Sequence, residues 1–128
     1  MKKQDKVLYP DLSYKIVGCL FEIHRNLGSN HREFRYQNAL KQEFLSKNIK
    51  FNTQVPFNVL YKEKVVGKNL VDFVIEDKII LEIKAGRYFR KKDFEQALEY
   101  LKTSKLKLAI LANFKKNGVQ FYRVLNDR

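Results

Sequence analysis

Two apolar runs, Leu70–Ile75 and Ile79–Ala85, flank the polar break Glu76, Asp77 and Lys78. Runs this short, bounded by turn residues, read as the two strands of a β-hairpin. Charges interrupt both strands. Asp72 sits inside the first, and Glu82 and Lys84 sit two apart on the second. Side chains alternate across a strand, so Glu82 and Lys84 share one face while Leu81 and Ile83 share the other. Acids are depleted in apolar strands, and a buried acid needs a partner or a metal. If the pairing is centred on Asp77, Asp72 faces Glu82. That register requires an odd number of loop residues or a bulge. An even, unbulged turn would send the two acids to opposite faces.

Two carboxylates can hold a hard divalent cation. A lysine beside them can orient a water or stabilise developing charge. Such a set suits metal-dependent cleavage of a phosphodiester. Glu82 and Lys84 also have an ordinary origin, because the wet face of a sheet alternates charged residues without any catalytic reason. Asp72 is what tips the reading toward a site.

Charge bears on the partner without fixing it. The chain of 128 residues suits one domain over 1–128, and its net charge is +12. That excess fits an acidic polymer, most simply nucleic acid, and equally a generally basic soluble protein. Cys19 is the only cysteine, which excludes an internal disulfide framework and a zinc cluster. No run is long enough to span a membrane, and the basic start is not followed by a signal-peptide run. The expectation is a soluble, cytoplasmic protein with no membrane partner. His24 and His31 lack the clustered ligands of a metal site. No phosphate-binding glycine loop or nucleophile elbow is present.

The remaining elements can be placed by periodicity. Residues 1–9 read as a basic, poorly ordered lead-in. Leu12, Ile16, Leu20, Ile23 and Leu27 recur at helical spacing and predict a helix ending before Gly28. Ser29 or Asn30 can cap a second helix, which runs to about Lys47, with Asn48 and Asn52 marking its exit. Val55–Tyr61 reads as a strand, with Pro56 pointing to an edge position. Val65–Ile75 reads as a longer strand bent near Gly67, followed by Ile79–Ala85. A basic loop, Gly86–Lys92, leads to a helix from about Asp93 to Thr103. Strands over Leu106–Asn113 and Val119–Leu125 complete the chain. The order α-α-β-β-β-α-β-β implies an α+β fold, a mixed sheet flanked by helices.

Two helices carry further candidates. Gln96 and Tyr100 are four apart and share a face of the third helix. Asp93 to Gln96 also has a capping-box spacing, and Tyr100 suits a partly buried aromatic. Glu33 and Tyr36 are three apart on the second helix, where Glu33 also suits the helix dipole. After the second hairpin strand come Arg87, Arg90, Lys91 and Lys92, with Tyr88 and Phe89 among them. Such a loop can contact a phosphate backbone and stack an aromatic on a base, unless the aromatics pack into the core.

In this ordered set the chain resembles the GxxExxY family of the PD-(D/E)XK nuclease superfamily. The matching pieces are Gly28, Glu33, Tyr36 and Asn38–Leu40, then Gln54–Pro56, Tyr61 and Val65–Gly67. Asp72, Glu82, Lys84, Gln96, Tyr100–Lys102 and Leu111–Phe114 follow. Ser29-Asn30 and His31-Arg32 depart from the family pattern, and Val71 stands where proline is common. The resemblance implies a restriction-endonuclease-like αβββαβ core, with an extra N-terminal helix and a C-terminal strand. It implies that Asp72 and Glu82 bind Mg²⁺ or Mn²⁺, with the Ile83 carbonyl completing the protein's share. Lys84 is then the catalytic lysine, Glu33 an additional acid near the metal, and Gln96 and Tyr100 a supporting helix motif. The implied activity is hydrolysis of nucleic acid, DNA before RNA, by a metal-activated water. A non-catalytic nucleic-acid-binding or interaction subunit with the same fold is the alternative. A homodimer or a place in a larger repair or defence complex stays open.

Overall fold

The computed structural model describes residues 8–126. The elements run α1 (Pro10–Leu27), α2 (Glu33–Ser46), β1 (Phe51–Tyr61), β2 (Lys64–Ile75), β3 (Ile79–Ala85), α3 (Lys91–Ser104), β4 (Leu108–Lys115) and β5 (Gly118–Leu125). Five strands form one sheet in the order β1-β2-β3-β4-β5. Neighbours are antiparallel except β3 and β4, which are parallel. A parallel pair needs a crossover connection, and α3 provides it. Among the described residues no helix is long and apolar enough to cross a membrane.

Alternation along β3 divides the core in two. Ile79, Leu81 and Ile83 pack with Ile16 and Leu20 of α1 and with Tyr36 and Leu40 of α2. Ile80 packs on the other face with Ala97 and Leu101 of α3. β4 is apolar on both faces. Leu108, Ile110, Ala112 and Phe114 join the first layer, and Ala109 and Leu111 join the second. A strand buried on both sides needs no polar alternation, so it reads as a continuous apolar run. On the α3 face of β3, Ile80 is followed by Glu82 and then Lys84. The core therefore ends where the charged face begins.

Several boundaries differ from expectation for local reasons. Of the lead-in over 1–9, residues 1–7 lie outside the described residues. Leu8 and Tyr9 pack against the first core layer. The Leu8 carbonyl accepts hydrogen bonds from the Ser13 hydroxyl at 3.2 Å and from Arg123 at 3.3 Å. Neither Ser29 nor Asn30 caps α2. Arg32 precedes its first turn, and no side chain caps it. Asn30 instead takes a left-handed turn conformation, φ 70°.

β1 begins at Phe51 rather than Val55, so Asn52 lies within it. Gln54 hides the start, because it is left-handed at φ 50°. Phe51 packs on the α1/α2 side, whereas Val55 and Phe57 pack on the α3 side. The strand changes faces at Gln54, which breaks the period-two pattern. Pro56 does lie on an edge strand. The bend near Gly67 is a bulge: Val59 pairs with Gly67 and Leu60 with Val65, leaving Val66 as the extra residue. Lys91 and Lys92 belong to the first turn of α3 rather than to the loop. Leu106 precedes β4, its N–H donating to Ser104 Oγ at 3.1 Å. Cys19 is free and buried.

Candidate active site

Three residues, Glu76 to Lys78, connect β2 and β3. The pairs Phe73–Leu81, Val74–Ile80 and Ile75–Ile79 centre the register on Asp77, as a shared site requires. Beyond Phe73 and Leu81 the regular ladder stops. Asp72 and Glu82 occupy the next facing positions, and their side chains replace backbone pairing. The Asp72 N–H donates to Glu82 Oε1 at 3.2 Å, and the Ile83 N–H donates to Asp72 Oδ2 at 2.8 Å. Each acid is thus held by the backbone of the opposite strand.

Burial raises both acids. The Glu82 carboxyl is pushed up to about 8, first by burial and then by the negative charge of Asp72. Burial also raises Asp72, against the opposing pull of the Ile83 N–H, the Glu82 carboxyl and Lys84. Paired acids that resist ionisation form a site short of positive charge. Lys84 offsets only part of the deficit, since its ammonium also lies 3.7 Å from Asp93 Oδ1.

These groups open onto a cavity of about 240 Å³. The hairpin contributes Asp72, Glu82, Ile83 and Lys84 to its lining, and α3 contributes Asp93, Gln96 and Tyr100. The α3 residues recur at helical spacing and so face one way. Tyr100 is buried and stacks on Phe57, with ring centroids 5.3 Å apart. Burial raises its hydroxyl, followed by the charges of Glu82 and Asp72.

Glu33, in the first turn of α2, lines the same cavity. Tyr36 explains how it is positioned. The buried Tyr36 hydroxyl donates to the Gly28 carbonyl at 2.7 Å, and its ring stacks on Phe114 at 4.0 Å. One side chain thereby ties the α1–α2 loop, the start of α2 and β4 together. Glu33 does not complete a carboxylate triad. Among the described residues, no three His, Cys, Asp or Glu side chains come together as a metal-holding group. The carboxylates that do meet are Asp72 and Glu82, with the Ile83 backbone beside them. Hard carboxylate oxygens whose protonation is favoured by burial fit a hard divalent cation.

Two residues were not singled out from sequence for the roles they hold. Asp93 is one. The capping interaction joins it to Arg90, whose N–H donates to Asp93 Oδ2 at 2.7 Å, and leaves Gln96 out. Asn113 is the other. It is fully buried, accepts the Gly86 N–H at 3.1 Å through Oδ1 and donates through Nδ2 to the Arg87 carbonyl. The available signal was an asparagine inside a doubly buried strand, where an unpaired amide would be costly.

Arg87, Arg90, Lys91 and Lys92 are exposed and lie outside the cavity lining. The two aromatics among them part ways. Phe89 packs edge-on against Phe94 and Tyr122 and lines the cavity. Tyr88 is 73% exposed, with Lys115 Nζ 4.4 Å above its ring. Each histidine ring meets a backbone carbonyl: His24 Nε2 lies 2.7 Å from that of Lys115, and His31 Nε2 lies 2.9 Å from that of Leu27.

The family model of the PD-(D/E)XK nuclease superfamily matches residues 10–124. Among solved structures, an alkaline exonuclease (LHK-Exo) from Laribacter hongkongensis is similar, with 8% identity and a TM-score of 0.50. That match covers 95% of this chain and 72% of the exonuclease. The crystal structure of SSO0001 matches at 15% identity and a TM-score of 0.47, over 90% of this chain and 77% of that one. At such identities the likeness is one of fold: a restriction-endonuclease-like mixed sheet with flanking helices. None of the curated proteins matches the chain in sequence.

Proposed function

The chain belongs to the PD-(D/E)XK nuclease superfamily, and from that premise we propose that it hydrolyses phosphodiester bonds of DNA with Mg²⁺ or Mn²⁺. Within the superfamily we assign it to the GxxExxY group, on Gly28, Glu33 and Tyr36. The observation that carries the reading is the Asp72–Glu82 pair. Two buried acids are held face to face, each by the other strand's backbone, and both are raised by burial. A pure binding module gains nothing from buried acids that repel phosphate.

Asp72 and Glu82 would hold the cation, with the Ile83 carbonyl adjacent and Glu33 acting through water or at a second ion. When bound, the cation lowers the pKa of a water and polarises the phosphate. Lys84 would orient the attacking water or donate to the phosphate as negative charge builds on it. Asp93 keeps that ammonium on the cavity side. Gln96 and Tyr100 would border the substrate from α3. Arg87, Arg90, Lys91 and Lys92 would contact the nucleic-acid backbone. Lys91 and Lys92 stand in the first turn of α3, where cations oppose the helix dipole, and a nearby phosphate would offset that cost. Exposed Tyr88 could stack on a base.

The test compares wild type with Glu82→Ala and Lys84→Ala on linear, nicked and single-stranded DNA with Mg²⁺ or Mn²⁺. Calorimetric titration with Mn²⁺ gives a second readout. Loss of cleavage in both variants, with loss of metal binding in Glu82→Ala, supports the assignment. Cleavage unchanged in both would rule the site out.

A further inference from the structure

β1 and β2 stay paired far beyond the reach of β3. The β2–β3 ladder covers only Phe73–Ile75, whereas β1 pairs with β2 out to Tyr61 and Lys64. Past Leu70 the ribbon has no third strand. From Pro56–Leu70 to its tip it extends roughly 17 Å at the usual strand rise. Its root is fixed. Phe57 stacks on Tyr100, and Asn69 and Leu70 line the cavity that holds Asp72.

The ribbon's surface is unusual for a solvated hairpin. Leu60, Tyr61, Val65, Val66 and Leu70 are each more than half exposed. Lys62, Lys64 and Lys68 stand among them, against the single acid Glu63. Clustered exposed apolar side chains mark an interaction surface. The lysines indicate what it meets.

We propose that the β1–β2 ribbon is a duplex-binding arm that enters a groove of nucleic acid and leads a strand toward Asp72 and Glu82. The inference rests on the nucleic-acid reading above. A major groove admits a two-stranded ribbon, and apolar side chains can contact the thymine methyl there. The three lysines reach the flanking phosphates. The bulge at Val66 increases the ribbon's twist, which helps it follow a groove. Charge argues against a second copy of the chain as the occupant, because two such tips would bring their lysines together.

The experiment measures anisotropy of a short labelled duplex across a salt series, with Ca²⁺ replacing Mg²⁺ to prevent cleavage. The Lys62→Ser/Lys64→Ser/Lys68→Ser variant should bind about tenfold or more weakly, with a salt slope shallower by about two to three. Unchanged affinity and slope would overturn the arm. A Leu60→Ser/Val66→Ser variant should bind the duplex several-fold more weakly at unchanged mass by light scattering. A changed mass with intact duplex binding would make the ribbon a protein interface instead. Hydrolysis of bis-p-nitrophenyl phosphate, too small to span cavity and tip, reports on the cavity separately. If wild type hydrolyses neither substrate while the ribbon lysines still control duplex affinity, the nuclease reading fails and the arm stands.

Discussion

Asp93 Oδ1 lies 3.7 Å from the Lys84 ammonium, while Asp93 Oδ2 accepts the Arg90 N–H at 2.7 Å. One carboxylate therefore fixes the lysine of the site and the start of α3. Neither side chain of the pair is freely exposed, at 20% and 12%, so the contact is better shielded than a surface ion pair.

Substitution at Asp93 should separate these two roles. Asp93→Asn keeps an oxygen for the Arg90 N–H but removes the charge facing Lys84. Asp93→Ala removes both. The alanine variant should lose about 1 kcal/mol more stability than the asparagine variant, the worth of a helix cap. Both should lose DNA cleavage by about tenfold or more through misplacement of Lys84. Thermal melts and cleavage rates on the pair decide it. Equal stability of the two variants would deny Asp93 the capping role.

Much of this arrangement was legible because the hairpin obeys a parity rule. Apolar runs on either side of Glu76–Lys78, with an odd turn, force Asp72 and Glu82 together, and the observed register does so. The stripe Leu12, Ile16, Leu20, Ile23 and Leu27 likewise marked α1, of which Ile16, Leu20 and Ile23 are buried. Less legible were features set by distant contacts. Nothing near Gln54 announces a left-handed residue at the point where β1 changes faces. Asp93 had a plausible local partner in Gln96, and only packing of α3 against β3 brings it to Lys84. Asn113 satisfies a loop that lies 26 and 27 positions earlier in the chain.

Stability of the metal-free protein should fall as pH rises. Asp72 and Glu82 both have folded pKa values above their ordinary ones. Between the two values the folded chain holds more protons than the unfolded chain, so deprotonation favours unfolding. For Glu82 the contribution is complete below about 4.5 and is lost as pH climbs through about 8. Glu82→Gln should flatten this dependence and exceed wild type in stability at the alkaline end. Excess Mn²⁺ should flatten it in wild type alone. Urea unfolding from pH 5 to 9, with and without Mn²⁺, measures it. Parallel curves for wild type and Glu82→Gln would contradict the assignment.

Tyr36→Phe tests how α2 is aimed. The substitution keeps the stack on Phe114 and deletes only the hydrogen bond to the Gly28 carbonyl. Stability should drop by about 1 to 2 kcal/mol, the cost of one partly buried hydrogen bond and its orphaned acceptor. Because Glu33 lies one turn before Tyr36, cleavage should fall further than the small stability change implies. Activity measured well below the melting temperature separates the effects. A stable Tyr36→Phe protein with wild-type rates would leave Tyr36 a purely structural role.

Asn113 should control the basic loop without touching the substrate. Its amide satisfies the Gly86 N–H and the Arg87 carbonyl from a fully buried position. Asn113→Ala removes the donor to the Arg87 carbonyl, while the Gly86 N–H keeps the Phe114 carbonyl at 3.0 Å, and should cost about 1 to 3 kcal/mol. Asn113→Asp should be no better, because a carboxylate can accept from Gly86 but repels the Arg87 carbonyl. Loosening the loop should weaken DNA binding several-fold through lost preorganisation of Arg87 and Tyr88. No charge is removed from the loop by Asn113→Ala, so its salt slope should match wild type. That combination, weaker binding at equal slope, distinguishes a lost brace from a lost phosphate contact such as Arg87→Ala. Anisotropy across a salt series for both variants provides the comparison. Equal affinity in a demonstrably destabilised Asn113→Ala protein would show that the loop does not depend on its anchor for binding.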